Sequence, residues 1–153
     1  MGLSISIIRK VLAANETTRV ETRIGNFGST PALNVKIVTR FEVVDSLPNA
    51  FPDLTKMTVG PRGKIPSQAI LPPNQGVTGE GSDGMRMPPF ELSQIKSGKK
   101  HLFYFALITY KDIWGEQHYT RVCAEYNHPN PVFLFSTKYN EIDREKYDIA
   151  KTP

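Results

Sequence analysis

The residues with the clearest chemical potential lie around one predicted turn, where Asp112 and His118 flank the segment Ile113–Gly115. A carboxylate and an imidazole at the two sides of a hairpin tip can approach each other, as proton transfer or metal binding requires. Both activities need a third group, and nothing in the sequence places His101 or His128 beside this pair. We therefore expect Asp112 to cap the turn and His118 to be a cross-strand partner, with no catalytic or metal-binding residues.

Two other segments with reactive or glycine-rich composition lack the context that their chemistry needs. Cys123 lies in the alternating run Thr120–Ala124, with no residue spaced to activate it, so we expect a packed thiol. As the only cysteine, it also excludes an intrachain disulfide. The segment Gly79–Gly84 lacks the lysine and the strand-to-helix context of a phosphate loop, which predicts a flexible loop and no cofactor.

Composition limits the chain to one globular domain. The chain has 153 residues, of which 39% are hydrophobic and 22% charged, and this composition argues against disorder. The net charge of +4 is spread among acidic residues, with Lys99-Lys100 as the densest basic pair, so no nucleic-acid surface is expected. The longest apolar run, Leu102–Tyr110, is far shorter than the roughly 20 residues that cross a bilayer. We expect neither a membrane span nor a signal peptide in this chain.

The N-terminal part of the chain has the period of two that is typical of β-strands. A first strand is predicted over Leu3–Leu12, a second over Thr18–Ile24 and a third over Leu33–Val43, the last with its odd-numbered positions on one face. The segment Gly25–Pro31 between the last two is predicted to be a turn.

The middle of the chain is rich in proline. Eight prolines between Asp45 and Pro89 disfavour central strands. Lys64–Leu71 is the best strand candidate there, and Val77–Glu80 is a weaker one. Phe90–Ile95 predicts a single helical turn, with Phe90 and Ile95 facing inward.

The C-terminal third is the most strongly patterned region. Lys100–Lys111 and Gln117–Tyr126 predict a β-hairpin whose turn places Gly115 at a positive φ. A last strand is predicted over Val132–Ser136. Residues 1–138 would then form the sandwich domain and residues 139–153 a polar C-terminal tail, either a short helix or a surface wrap.

Six or seven short strands with turn signals between them predict an all-β fold. We expect an immunoglobulin-like antiparallel β-sandwich with one short helical turn, and a closed barrel is the alternative that the pattern leaves open. The consistent strand faces predict a central core formed by Val20, Ile24, Val35, Ile37, Phe41, Tyr104, Ala106, Ile108 and Val122.

Two motifs carry a family resemblance. The segment Asn26–Val35 (NFGSTPALNV) resembles the strand-turn-strand signature of bacterial extracytoplasmic immunoglobulin-like domains, and Tyr110–Cys123 (YKDIWGEQHYTRVC) resembles a hairpin of uncharacterised bacterial membrane-anchored proteins. In that family the domain usually follows transmembrane helices, whereas this chain begins at its first strand. The resemblance implies a location at the extracytoplasmic face of a bacterial membrane or at the cell surface, and it implies no assigned activity.

The first motif also has a structural explanation. Asn26 can hydrogen-bond backbone groups across the turn, Gly28 can supply a positive φ, and Pro31 can rigidify the entry to the next strand.

These observations favour a non-catalytic interaction or structural module that binds protein. One alternative is a subunit of a self-associating filament, sheath or envelope assembly, because Leu102–Ile108 is apolar on both faces and needs a cover from Val132–Phe135 or from another chain. A third possibility is a carbohydrate- or peptide-binding module, which predicts Trp114 and Tyr119 exposed together; an enzyme is the least favoured. The candidate partner-binding residues are Trp114, Tyr119, Phe103, Phe105, Phe133 and Phe135.

Overall fold

Two antiparallel β-sheets form the fold in a computed structural model that describes residues 3–54, 69–81 and 85–142. In chain order the elements are β1 (Leu3–Val11), β2 (Arg19–Asn26), β3 (Ala32–Val44), β4 (Ala69–Leu71), β5 (Gly76–Gly81), α1 (Pro89–Lys96), β6 (His101–Lys111), β7 (Gln117–Asn127), β8 (Val132–Phe135) and β9 (Glu141–Ile142).

The smaller sheet has the strand order β1-β2-β5, and the larger has the order β4-β3-β6-β7-β8. The short strand β9 also pairs with β7, beyond the residues of β7 that pair with β8. All of these pairs are antiparallel, so the all-β prediction is confirmed. No helix among the described residues has the length and apolar character needed to cross a bilayer.

The first core is a cluster of buried side chains from both sheets, an arrangement consistent with a β-sandwich. The core prediction is confirmed, since eight of its nine residues are buried there and the ninth, Ile37, packs against them partly buried. The immunoglobulin-like character of the sandwich stays a prediction.

A second core lies on the other face of β6. Phe103 and Phe105 are buried there beneath the chain's own segment 45–54, with Leu54 fully buried and the ring of Phe51 edge-on to Phe105 at 5.5 Å. The expectation that Val132–Phe135 or another chain covers this face is therefore wrong. Its prolines made 45–54 look like a surface connection, although its large apolar side chains Leu47, Phe51 and Leu54 pack in this core.

A β-bulge in β3 changes which residues face the core. Leu33 pairs with Lys111 and Lys36 with Thr109, so β3 has one residue more than β6 over this stretch, and Asn34 within it has a φ of 52°. The extra residue moves Ala32 into the core, whereas Leu33 is only partly buried. The placement of Leu33 on the core face with Val35 is wrong for this reason.

In the middle of the chain, the weaker of the two strand predictions is the one that the structure confirms in full. Val77–Glu80 lies within β5. The segment Gly79–Gly84 was predicted to be a loop, but its first three residues belong to this strand. Its other residues, 82–84, lie outside the described residues. Of Lys64–Leu71, the described part is β4, and the remainder lies outside the described residues.

The helix α1 confirms the predicted helical turn and the inward-facing Ile95, whereas the inward placement of Phe90 is wrong. Leu92 and Ile95, three positions apart, are buried, whereas Phe90 is 70% exposed. Two residues correspond to about 200° of helical rotation, so Phe90 cannot share the face of Leu92.

The predicted polar tail begins inside the sheet. Tyr139 packs against the second core and donates a hydrogen bond to the Pro48 carbonyl, and β9 extends the ladder on β7. The rest of the tail, 143–153, lies outside the described residues.

Candidate functional site

The turn between β6 and β7 is held by the Asp112 side chain. Its Oδ1 accepts hydrogen bonds from the backbone N–H groups of Trp114 and Glu116 at 2.9 and 2.8 Å. The Gly115 N–H donates to the Asp112 carbonyl, and Gly115 has a φ of 85°, a conformation that favours glycine. Asp112 as the cap of the turn and Gly115 as its positive-φ residue are both confirmed.

His118 is held beside this carboxylate. Its Nε2 lies 3.2 Å from Asp112 Oδ2, and its ring stacks on Tyr110, its cross-strand neighbour, with centroids 5.3 Å apart. Both side chains are shielded from solvent, with 12% of His118 and 6% of Asp112 exposed. His118 as a cross-strand partner is confirmed.

Glu116 brings a third group to this pair. Asp112, Glu116 and His118 each offer one ligand atom, and all three atoms lie within 4.8 Å of one another. Sequence reasoning missed Glu116, which directly precedes β7 and whose carbonyl accepts a hydrogen bond from the Asp112 N–H across the turn. The available signal was its position two residues before His118. His101 and His128 lie at the other ends of β6 and β7, and neither joins this group.

Electrostatics keeps the Asp112 carboxylate ionised. Burial by itself raises its pKa, but hydrogen bonds from the Glu116 N–H, from His118 and from the Trp114 N–H, together with the charge of His118, outweigh burial and hold the pKa below its ordinary value. The turn therefore presents an anionic oxygen, Oδ2, next to an imidazole nitrogen.

A second polar anchor, Asn26, lies at the end of β2. Its Nδ2 donates to the carbonyls of Thr30 and Leu71, and its Oδ1 accepts from the Gly28 N–H, each at 2.9 Å. The predicted backbone hydrogen bonding of Asn26 is confirmed. The positive φ predicted for Gly28 is wrong, because the Asn26 side chain shapes this loop and, among the described glycines, Gly98 and Gly115 adopt positive φ. Pro31 directly precedes β3, as predicted.

The outer edge of the larger sheet is apolar and exposed. Val132, Leu134 and Phe135 are 45%, 52% and 55% exposed, although they belong to a β-strand. Phe133, the second residue of β8, is only partly exposed, and its ring centroid lies 6.2 Å from that of Tyr104 in the first core.

A groove of about 740 Å³ lies next to this edge. It is lined by the C-terminal end of α1, the start of β6, the end of β7 and β8, including Leu134 and Phe135. Its polar lining includes His101, whose Nδ1 lies 2.6 Å from Glu125 Oε1, with both side chains about two-fifths exposed.

The remaining predicted partner-binding aromatics do not share an exposed surface. Trp114 is 72% exposed at the tip of the turn, whereas Tyr119 is partly buried, with the Arg121 guanidinium 5.0 Å from its ring centre. Phe103 and Phe105 are buried within the chain itself. The structure does not gather these residues into one aromatic surface.

Comparisons of the chain with models of protein families, with curated proteins and with solved structures find no match. The function proposed below is therefore argued from the geometry of the sites.

Cys123 occupies the second core. Burial raises the pKa of its thiol to about 11, with a small opposing effect from Ser136. A fully buried thiol with that pKa is protonated at neutral pH, so the prediction of a packed residue is confirmed.

Proposed function

We propose that this domain is a non-catalytic protein-interaction module of immunoglobulin-like type, which binds through the β8 edge, meaning residues Val132–Phe135. The observation that carries the proposal is that three of the four side chains in this strand are large, apolar and about half exposed. Contiguous apolar side chains on a strand edge are typical of surfaces that bind another protein.

The other sheet edges are poorer templates for an incoming strand. Among the described residues, β4 contributes three, and β1 is interrupted by a register shift between Ile7 and Arg9. Half of the residues of β5 are glycines, which provide few side chains to pack. Within the described residues, β8 ends the larger sheet and combines an open backbone edge with apolar side chains. Strand addition along such an edge supplies main-chain hydrogen bonds as well as apolar burial.

The form of binding that we propose is pairing between two copies of the chain. Two β8 strands placed antiparallel form a closed twofold interface. Because β8 contains no charged residue, its pairing with itself brings no like charges together. A filament or sheath would need a second, head-to-tail contact in addition, because a closed twofold pair does not propagate.

Sedimentation velocity over a wide range of protein concentration tests the proposal. The parent chain should dimerise with increasing concentration, and Leu134→Lys should sediment as a monomer because it places a charge at the centre of the interface. Trp114→Lys is the matched control, since this residue is even more exposed but lies at the opposite end of β7. A parent chain that stays monomeric at the highest concentration would refute pairing through this edge.

Carbohydrate binding has less support. Such a module needs neighbouring exposed rings, and here Trp114 is exposed while Tyr119 lies partly buried against Arg121.

An extracytoplasmic location is part of the proposal and is supported only by the resemblance of the motifs at Asn26–Val35 and Tyr110–Cys123. Protease treatment of intact bacterial cells that produce the protein from its natural gene tests it. A chain that is degraded only after lysis would contradict this location.

A further inference from the structure

The geometry points to a binding site for a divalent transition-metal ion at the β6–β7 turn, formed by Asp112, Glu116 and His118. This site lies at the opposite end of β7 from the β8 edge and is independent of the proposed interaction function.

The spacing of the donor atoms fits one ion. Metal bonds to imidazole and carboxylate are about 2.0–2.2 Å long, so two neighbouring ligand atoms around an ion lie about 3–3.5 Å apart. The separation of His118 Nε2 and Asp112 Oδ2 is 3.2 Å, and the Glu116 oxygen lies within 4.8 Å of both. The Glu116 oxygen would have to move closer to the other two ligand atoms to bind the same ion. Glutamate has more rotatable side-chain bonds than aspartate or histidine, so Glu116 can make this movement most easily.

The two inner ligands are already oriented. Asp112 Oδ1 is held by two backbone N–H groups, which leaves Oδ2 directed at His118. The stack against Tyr110 sets the plane of the His118 ring. Supporting contacts of this kind raise metal affinity because the ligands lose little freedom on binding.

The turn itself does not require this arrangement. The Asp112 carbonyl, its N–H and its Oδ1 account for the backbone contacts that close the loop. The proximity of Asp112 Oδ2, His118 and the Glu116 carboxylate is additional to these backbone contacts. A metal ion bound there would link the two strands on either side of the exposed Trp114.

The donor set selects the class of ion. One imidazole and two carboxylates suit zinc and its first-row neighbours, whereas calcium and magnesium prefer oxygen ligands alone. Three protein ligands leave at least one position on the ion for water or for a group of a ligand.

Isothermal titration with zinc chloride at about pH 7.5 is the test, with thermal unfolding as a second readout. We expect one zinc ion per chain and a Tm that rises with zinc concentration. Glu116→Gln and His118→Phe should each weaken binding at least about tenfold, and the phenyl ring preserves the stack on Tyr110.

His101→Phe is the matched control, because His101 also contacts a carboxylate, that of Glu125. This variant should bind zinc as the parent does. Absence of saturable binding up to about 1 mM zinc, or loss of binding in His101→Phe alone, overturns the proposal. If His118→Phe does not fold, Glu116→Gln decides: unchanged zinc affinity in that variant overturns the site.

Discussion

Replacement of Asn26 by alanine should be among the most damaging single changes outside the apolar core. The side chain is 1% exposed and makes three hydrogen bonds, to Thr30, Leu71 and Gly28. Alanine removes all three and leaves two carbonyls and one N–H without this partner in a largely closed site. At about 1 kcal/mol for each bond, the free energy of unfolding should fall by about 3 kcal/mol. That loss is a large fraction of the 5–15 kcal/mol that is typical of a domain.

Urea unfolding followed by far-UV circular dichroism measures this loss. Trp114 is largely exposed, so its fluorescence would be a weak reporter. With a slope of about 2 kcal/mol per molar urea, a loss of about 3 kcal/mol lowers the midpoint by about 1.5 M. Asn130→Ala, in the exposed connection between β7 and β8, is the control and should change stability by less than about 0.5 kcal/mol.

Asn26→Asp sharpens the test because it keeps the shape and the acceptor for the Gly28 N–H. It replaces the amide donor with a carboxylate that faces the carbonyls of Thr30 and Leu71. At neutral pH it should be at least as destabilising as alanine, and it should regain stability as acid protonates the carboxylate and restores one donor. The reasoning is refuted if alanine shifts the midpoint by less than about 0.3 M.

Burial and backbone geometry support three further tests. Ile108→Ala should cost about 2–5 kcal/mol in chemical denaturation, and Ile37→Ala less, because Ile37 is only partly buried; equal losses would contradict this order. Gly115→Ala should cost about 1 kcal/mol or more, whereas Gly28→Ala should be nearly neutral, and a reversed order of Tm would show that the turns are wrongly described. The raised pKa of Cys123 keeps the folded thiol protonated while the unfolded thiol ionises, so stability should fall from about pH 9 towards 11; Cys123→Ala should flatten that decline.

The sequence predicted best where one side of a strand faces the core. The alternation in Thr18–Ile24 corresponds to alternating burial along β2, and the core residues Val20 and Ile24 followed from it. Asp112 and Gly115 were also predictable, because turn chemistry is local: a side chain caps a backbone group a few residues away.

The errors arose where non-local pairing decides the outcome. Asn34 adds a residue to β3 that has no counterpart in β6, and no local pattern reveals such a bulge. The segment 45–54 was read as a connection because prolines exclude ladder hydrogen bonding, but they do not prevent apolar side chains from packing on a sheet. Glu116 was overlooked because its proximity to His118 depends on the turn geometry.

The burial of β6 on both faces has a consequence for how the molecule opens. The strand pairs with β3 on one edge and with β7 on the other, and every residue of 102–108 is buried. Its amide hydrogens should therefore exchange with solvent only when the whole domain unfolds. The segment 45–54 forms no ladder with the sheet and can detach at lower cost. Such a partly open form would uncover Phe103 and Phe105 while the first core persists, and it would be the species most prone to aggregate during storage or heating.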